Sequence, residues 1–199
     1  MDAGIRCIEG IEMDGSSWVQ MNQLQIAGME ASPNEESLYR FRKDSYVLYV
    51  TLAADCVLLD GYDYGFPPAV RKFLPPTIDM SYNHAFIDSS GNVTFSIREF
   101  KGVTTLWSHN NIDITTLPVV RQIKANCFKV RFNERWAIAK FARFDWEIPF
   151  IQAETVMYRT LDEHNGIAPK FVGHLHENGR IVGMLLEYIE GRKPTNDQD

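Results

Sequence analysis

The order of segments between residues 119 and 187 constrains the fold more than any other feature of the sequence. Strand-like stretches and one helical stretch follow one another as β-β-β-α-β-β. The best-defined turn is Asn178-Gly179, because Asn-Gly suits a tight hairpin in which both residues have positive φ. This turn joins the strand-like stretches Phe171–His176 and Arg180–Glu187. The pattern predicts an antiparallel sheet that carries one helix.

The helix and three earlier strands complete this unit. The helix is predicted from Trp146 to about Glu163, with Pro149 tolerated in its first turn, where its missing N–H costs nothing. The earlier strands are predicted at Val119–Lys124, Phe128–Phe132 and Arg135–Phe141. We therefore predict an α+β fold in which residues 118–199 form an antiparallel β-sheet with one main helix.

Residues 1–117 are predicted to form a β-rich N-terminal extension. Tyr46–Leu52 is an almost continuous apolar run, typical of a central strand buried on both faces. Trp18–Ile26 alternates apolar and polar residues, which predicts one half-buried strand. Asn83–Asp88 and Val93–Ile97 read as a hairpin. Thr104–Trp107 is a further strand candidate, and Asn110-Asn111 reads as a turn.

The distribution of charge also indicates two units. Residues 1–117 hold 8 Lys/Arg and 15 Asp/Glu, a net charge of 8 − 15 = −7, whereas residues 118–199 hold 12 and 11, a net charge of +1. We expect the extension to pack on the second unit and create a shared pocket. It would cover apolar residues that a sheet with a single helix leaves exposed, namely Phe128, Val130, Val182 and Met184.

Composition excludes several classes of function. A formal net charge of −6 argues against a general nucleic-acid binder, which needs an excess of Lys and Arg. No run of about 18 apolar residues predicts a membrane span, and the N-terminus lacks the apolar core of a secretory signal. Three widely spaced cysteines read as free thiols in a reducing compartment. We expect a cytoplasmic protein without a membrane or nucleic-acid partner.

An aromatic-rich loop precedes the second half of the chain. It runs from Gly61 to Pro68, and a second Pro-Pro pair follows at Pro75-Pro76, so regular helix and central strand are excluded there, apart from one helical turn expected at Ala69–Phe73. Its aromatic residues Tyr62, Tyr64 and Phe66 could line an apolar ligand pocket or simply finish a small core.

The second half resembles the small N-terminal lobe of a protein kinase, in particular a class of fungal kinase-like proteins. Ala137-Ile138-Ala139-Lys140 is similar to the strand whose lysine contacts nucleotide phosphates, and Glu154 is similar to the helix glutamate that pairs with it. Leu185–Gly191 is similar to the last strand and the hinge, with Leu186 at the gatekeeper position. The resemblance implies ligand contacts at Lys140, Glu154, Leu186, Glu187 and Ile189, and ATP with Mg²⁺ as the ligand it would suit.

Two departures from the kinase pattern limit the implied activity. The stretch Arg121–Phe128 has no glycine where kinases carry the glycine-rich loop over the phosphates. The sequence contains no His-Arg-Asp catalytic loop and no Asp-Phe-Gly metal site, so we expect the large catalytic lobe to be absent from this chain. We therefore predict a kinase-like module that binds a nucleotide, another ligand or a protein partner and does not transfer phosphate alone.

A second hypothesis is a cofactor-independent small-molecule enzyme of the cyclase or isomerase type, as in fungal secondary metabolism. Its apolar pocket would lie between the two halves, with hydrogen-bond donors from Lys140, the Tyr62/Tyr64 loop and histidines. His174 and His176 have a spacing that can chelate Zn²⁺, but no second short-spaced pair accompanies them, so exposed histidines and no metal are expected. The sequence leaves the oligomeric state and the two hypotheses open.

Overall fold

The chain forms two compact units, Met1–Arg98 and Glu99–Asp199. The computed structural model describes residues 18–32, 34–54, 56, 67–162 and 167–191. These residues form two large β-sheets, a two-stranded ladder and one long helix, which confirms the α+β class. No helix within the described ranges is long and apolar enough to cross a membrane.

The first unit is built on a five-stranded sheet. Its elements are β1 (Trp18–Gln20), β2 (Gln25–Glu30), β3 (Ser37–Lys43), β4 (Tyr46–Leu52), α1 (Pro67–Val70), β5 (Thr77–Asp79), β6 (His84–Ile87) and β7 (Val93–Ser96). The strand order is β2-β3-β4-β6-β7, and β1 pairs separately with β5. Only the β4–β6 pair of the large sheet is parallel. The predicted hairpin of β6 and β7 is confirmed.

Strand β4 is the centre of this sheet. All seven of its residues are buried, which confirms the prediction of a strand covered on both faces. One face belongs to an apolar core that includes Phe41, Leu48, Leu52 and Ile87. The other face carries buried polar groups, among them Thr51 and His84, which lie 3.1 Å apart through Oγ1 and Nε2. Burial of polar groups requires such partners.

The single strand predicted over Trp18–Ile26 is wrong. A 3₁₀ turn at Met21–Gln23 separates β1 from β2. The N–H of Met21 donates to the carbonyl of Pro76, 2.8 Å away, so the chain leaves its first partner strand at this point. Strand β1 pairs with β5, and β2 pairs with β3. The alternating pattern therefore belongs to two short strands in different ladders.

The second unit contains a six-stranded sheet and the long helix. Its elements are β8 (Asn111–Asp113), β9 (Val119–Lys124), β10 (Cys127–Phe132), β11 (Arg135–Phe141), α2 (Ile148–Asp162), β12 (Phe171–Glu177) and β13 (Arg180–Glu187). The strand order is β8-β12-β13-β11-β10-β9. The β-β-β-α-β-β order is therefore confirmed, with β8 added at one edge. The Asn178-Gly179 turn is confirmed as well, since φ is 50° and 81° at these two residues.

Residues 99–117 belong to the second unit, whereas the sequence analysis placed them in the N-terminal extension. Strand β8 pairs in parallel with β12, where a turn was predicted at Asn110-Asn111, and Thr104–Trp107 forms no strand. The carbonyl of Asn110 accepts the N–H of His174, and its side-chain amide donates to the carbonyl of Val172. These bonds tie the segment to β12.

The two faces of the second sheet have separate cores. Ile112, Ile114 and Leu117 pack with one face, which contains Val130 and Leu185. Helix α2 covers part of the other face through apolar residues of both elements, namely Ile148, Ile151, Met184 and Leu186. Of the apolar residues expected to need cover from the extension, Phe128, Val130 and Val182 lie on the first face and Met184 lies on the helix side. Residues 112–117 and helix α2, both from the second unit, therefore pack against the two apolar faces of this sheet.

Candidate functional site

The centre of the candidate site is an ion pair between β11 and α2. Nζ of Lys140 lies 2.6 Å from Oε1 and 2.6 Å from Oε2 of Glu154. The strand places the lysine on the face that packs against the helix, and Glu154 lies near the middle of α2. The two side chains retain 28% and 37% of their exposure, so a ligand can reach them. The predicted pair is present, and it holds the lysine head in one position.

A thiol and a phenol border this ion pair. Cys127 lies opposite Lys140 in the β10–β11 register, and Tyr158 follows Glu154 by one helical turn. Burial raises the pKa of the Cys127 thiol, while the charges of Lys140 and Lys124 lower it. Burial and then the charge of Glu154 raise the pKa of Tyr158. Both groups are therefore neutral near pH 7, and Cys127 is a poor nucleophile there.

A second, more buried ion pair fixes the start of α2. The Arg143 guanidinium donates to Oε1 of Glu147 at 2.7 Å, and the two side chains are only 10% and 7% exposed. Oε2 of Glu147 accepts the backbone N–H groups of Arg143 and Phe144. The carboxylate thus joins the end of the β11 segment to the first helical turn. It positions the helix that carries Glu154.

The three residues that the resemblance assigns to the last strand and the hinge are here called the hinge-like residues. Leu186 and Glu187 end β13, and Ile189 lies just beyond it. Leu186 is buried opposite Ile138 and belongs to the core beneath α2. The N–H of Glu187 donates to the carbonyl of Lys170, 2.8 Å away, and the Glu187 side chain is exposed. Ile189 lies beyond the strand and is 60% exposed. The structure therefore brings Leu186 to the same face as Lys140 but leaves Ile189 at the surface.

The aromatic loop residues proposed as ligand contacts, Tyr62, Tyr64 and Phe66, lie outside the described residues. The pocket that they would line therefore stays a prediction from the sequence.

A groove of about 790 Å³ opens beside the hinge-like residues. It is lined by residues from the β10–β11 hairpin and from the ends of β12 and β13, including Arg131, Trp136, Lys170 and Tyr188. Nζ of Lys129 lies 3.9 Å from the ring centroid of Tyr188 and 4.6 Å from that of Trp136. Sequence reasoning did not single out these residues. For Lys129 and Arg131 alone a signal was available, because residues 119–132 contain four basic residues and no acidic one.

The histidine pair considered as a metal chelate is used differently. His174 is fully buried, so the expectation of exposed histidines is wrong for it. Its Nε2 accepts the backbone N–H groups of Trp107 and Ser108 at 3.3 and 3.4 Å. Burial lowers the pKa of His174, which keeps the ring neutral and Nε2 an acceptor. Among the described residues, no three His, Cys, Asp or Glu side chains cluster as metal ligands would.

Comparisons of the chain with family models, with curated proteins and with solved structures give no match. A function for this chain is therefore inferred from the geometry of the second unit and from the resemblance in its sequence.

Proposed function

We propose that the second unit is a kinase-like small lobe that binds a nucleotide at Lys140 and does not transfer its phosphate alone. The observation that carries this proposal is the 2.6 Å contact between Lys140 and Glu154. In protein kinases a strand lysine pairs with a helix glutamate, and this pair holds the ammonium group against the nucleotide phosphates. An ammonium group that is already oriented loses less conformational freedom when an anion binds.

The order of elements around the pair supports the same proposal. Lys140 lies on β11, the third of five consecutive antiparallel strands, and α2 follows before the last two strands. The segment after β13 lies beside the start of β11, because Glu187 pairs with Ala137. Leu186 pairs with Ile138, which lies two residues before Lys140 on the same strand, so a base bound against these two residues and a phosphate near Lys140 would share one face of the sheet.

The 199 residues lack the groups that complete phosphate transfer. Kinases position the substrate hydroxyl with an aspartate in a His-Arg-Asp loop and hold Mg²⁺ with the aspartate of Asp-Phe-Gly. Neither motif occurs in residues 1–199. A site that has the lysine and glutamate but lacks these two aspartates favours binding of a nucleotide without transfer of its phosphate.

Calorimetric titration with ATP–Mg²⁺ tests the proposal. The wild-type protein should bind ATP–Mg²⁺, and Lys140→Met should lose about tenfold or more in affinity, since a charge-assisted contact is removed. Lys101→Met is the matched control, because Lys101 is an exposed lysine of the same unit. The proposal is wrong if the wild type binds no nucleotide, or if both variants bind it equally well.

The same preparations test for transfer of phosphate. Incubation with γ-labelled ATP and a general protein substrate should leave the substrate unlabelled. Robust labelling that Lys140→Met abolishes would contradict the second half of the proposal. A rise in unfolding temperature with apolar ligands and none with ATP would instead favour the cyclase or isomerase hypothesis.

A further inference from the structure

The β9–β10 hairpin carries four basic residues, of which Arg131 alone pairs with a carboxylate among the described residues. Residues 119–132 contain Arg121, Lys124, Lys129 and Arg131 and no acidic residue, in a chain whose net charge is −6. All six residues of β9 are exposed at the edge of the sheet. The hairpin is therefore a local basic surface on an acidic protein.

The strand register places two of these cations beside the candidate site. Cys127 pairs with Lys124 on one side and with Lys140 on the other, so the three residues form a row across β9, β10 and β11. Neighbouring strands lie about 4.8 Å apart, which puts the backbones of the two lysines about 10 Å apart. Burial raises the pKa of the Cys127 thiol between them, and the charges of both lysines oppose this rise.

A third cation extends this row along β9. Arg121 lies opposite Lys129, a pairing of like charges that disfavours the sheet on its own. The Lys129 side chain reaches toward the rings of Trp136 and Tyr188. Within the described part of the chain, no carboxylate pairs with Arg121, Lys124 or Lys129, whereas Arg131 pairs with Glu134. Arg121 and Lys124 are exposed, and no carboxylate of the described residues pairs with them.

We infer that Arg121, Lys124 and Lys140 bind a chain of phosphates, with Arg121 and Lys124 in place of a glycine-rich loop. The β9–β10 turn has no glycine whose backbone could approach the phosphates closely, so side-chain charges must supply the neutralisation. Arginine suits this use because its guanidinium matches two phosphate oxygens, and lysine acts as a point charge. The inference rests on the proposed function and names the residues that hold the phosphates.

The test compares ATP–Mg²⁺, adenosine and inorganic tripolyphosphate on three full-length proteins. These are the wild type, Arg121→Gln/Lys124→Gln, and the control Lys101→Gln/Arg159→Gln, which removes two exposed cations from the same unit. The hairpin variant should lose about tenfold or more in affinity for ATP and for tripolyphosphate, with adenosine unchanged. The control should bind all three like the wild type. The unfolding temperature of each variant verifies that it is folded.

The outcomes separate this inference from the function on which it rests. If the hairpin variant binds ATP as the wild type does while Lys140→Met does not, the phosphate row is wrong and the nucleotide site remains. If the wild type binds tripolyphosphate, loses it in the hairpin variant and never binds ATP, the row is supported and the nucleotide proposal is wrong. A poly-glutamate peptide that binds as tightly as tripolyphosphate would overturn the assignment to phosphate.

Discussion

Gly183 lies so close to Lys140 that a Cβ on this glycine would be only 2.3 Å from the lysine carbonyl oxygen. The same Cβ would lie 2.6 Å from that of Phe141. No real side chain tolerates these distances, so β11 and β13 can approach as they do only because residue 183 is a glycine. The backbone position of Lys140 depends on this contact.

Gly183→Ala should therefore destabilise the protein and weaken the site. Overpacking of a well-packed interior costs typically about 1–3 kcal/mol, and the affected backbone here is that of Lys140 itself. Gly191→Ala is the control, because nothing lies within 4 Å of a Cβ at that position. Urea unfolding and ATP titration of both variants check the prediction. Equal stability of the two variants would show that the strands can separate at no cost.

Neutralising Glu147 should have a larger effect than neutralising an exposed glutamate. Removing one partner of a buried ion pair costs about 3–5 kcal/mol, and Glu147→Gln does so at the start of α2. Glu134→Gln is the matched control, since Glu134 also pairs with an arginine but its side chain is 94% exposed. It should change stability by about 1 kcal/mol or less. The free energies of unfolding from urea denaturation decide between these outcomes.

Stability should fall when the pH is lowered below about 6.5, the ordinary pKa of histidine. Burial lowers the pKa of His174, and burial followed by the charge of Arg98 lowers that of His84. Above the pKa of histidine in the unfolded chain, both histidines are neutral in the folded and in the unfolded state, so their titration does not reduce stability there. Below it the unfolded state takes up protons first, and stability declines until the folded pKa values are reached.

The variant His174→Gln should reduce this pH dependence, because an amide oxygen can accept hydrogen bonds without titrating. The measurement is the change in unfolding free energy between about pH 7.5 and about pH 5.5. His109→Gln is the control, since His109 is exposed. An identical pH dependence in His174→Gln and the wild type would contradict the account of His174 as a buried neutral acceptor.

Truncation should show that the segment of residues 99–117 is part of the second unit. A fragment of residues 118–199 lacks β8 and loses Ile112, Ile114 and Leu117 from its core. Leaving such side chains out of a core costs about 1.5–3 kcal/mol each, so this fragment should not fold stably. A fragment of residues 99–199 should fold. Circular dichroism melts of the two fragments check this, and a stable fragment 118–199 would contradict it.

Local patterns predicted the parts of the fold that depend on neighbouring residues. The Asn178-Gly179 hairpin, the buried strand Tyr46–Leu52 and the helix with Pro149 in its first turn were all predictable, because each is encoded within a few residues. The contact between Lys140 and Glu154 was predicted from the order of strand and helix in a resembling family.

Features that depend on distant partners were not predictable. Strand β8 is only three residues long, and its parallel partner β12 lies far along the chain. The burial of His174 depends on the backbone N–H groups of Trp107 and Ser108, which no local pattern reveals. The basic charge of the β9–β10 hairpin, in contrast, was predictable, because residues 119–132 contain no acidic residue.

The most direct test of a nucleotide site at Lys140 is chemical labelling by an ATP analogue with a reactive acyl phosphate. Such an analogue transfers its acyl group to a lysine amine beside the terminal phosphate, and peptide mapping identifies that lysine. The account predicts labelling of Lys140, with Lys124 as the secondary position, and protection of both by excess ATP–Mg²⁺. Labelling spread over exposed lysines such as Lys101 and Lys170, without protection by ATP, would contradict it.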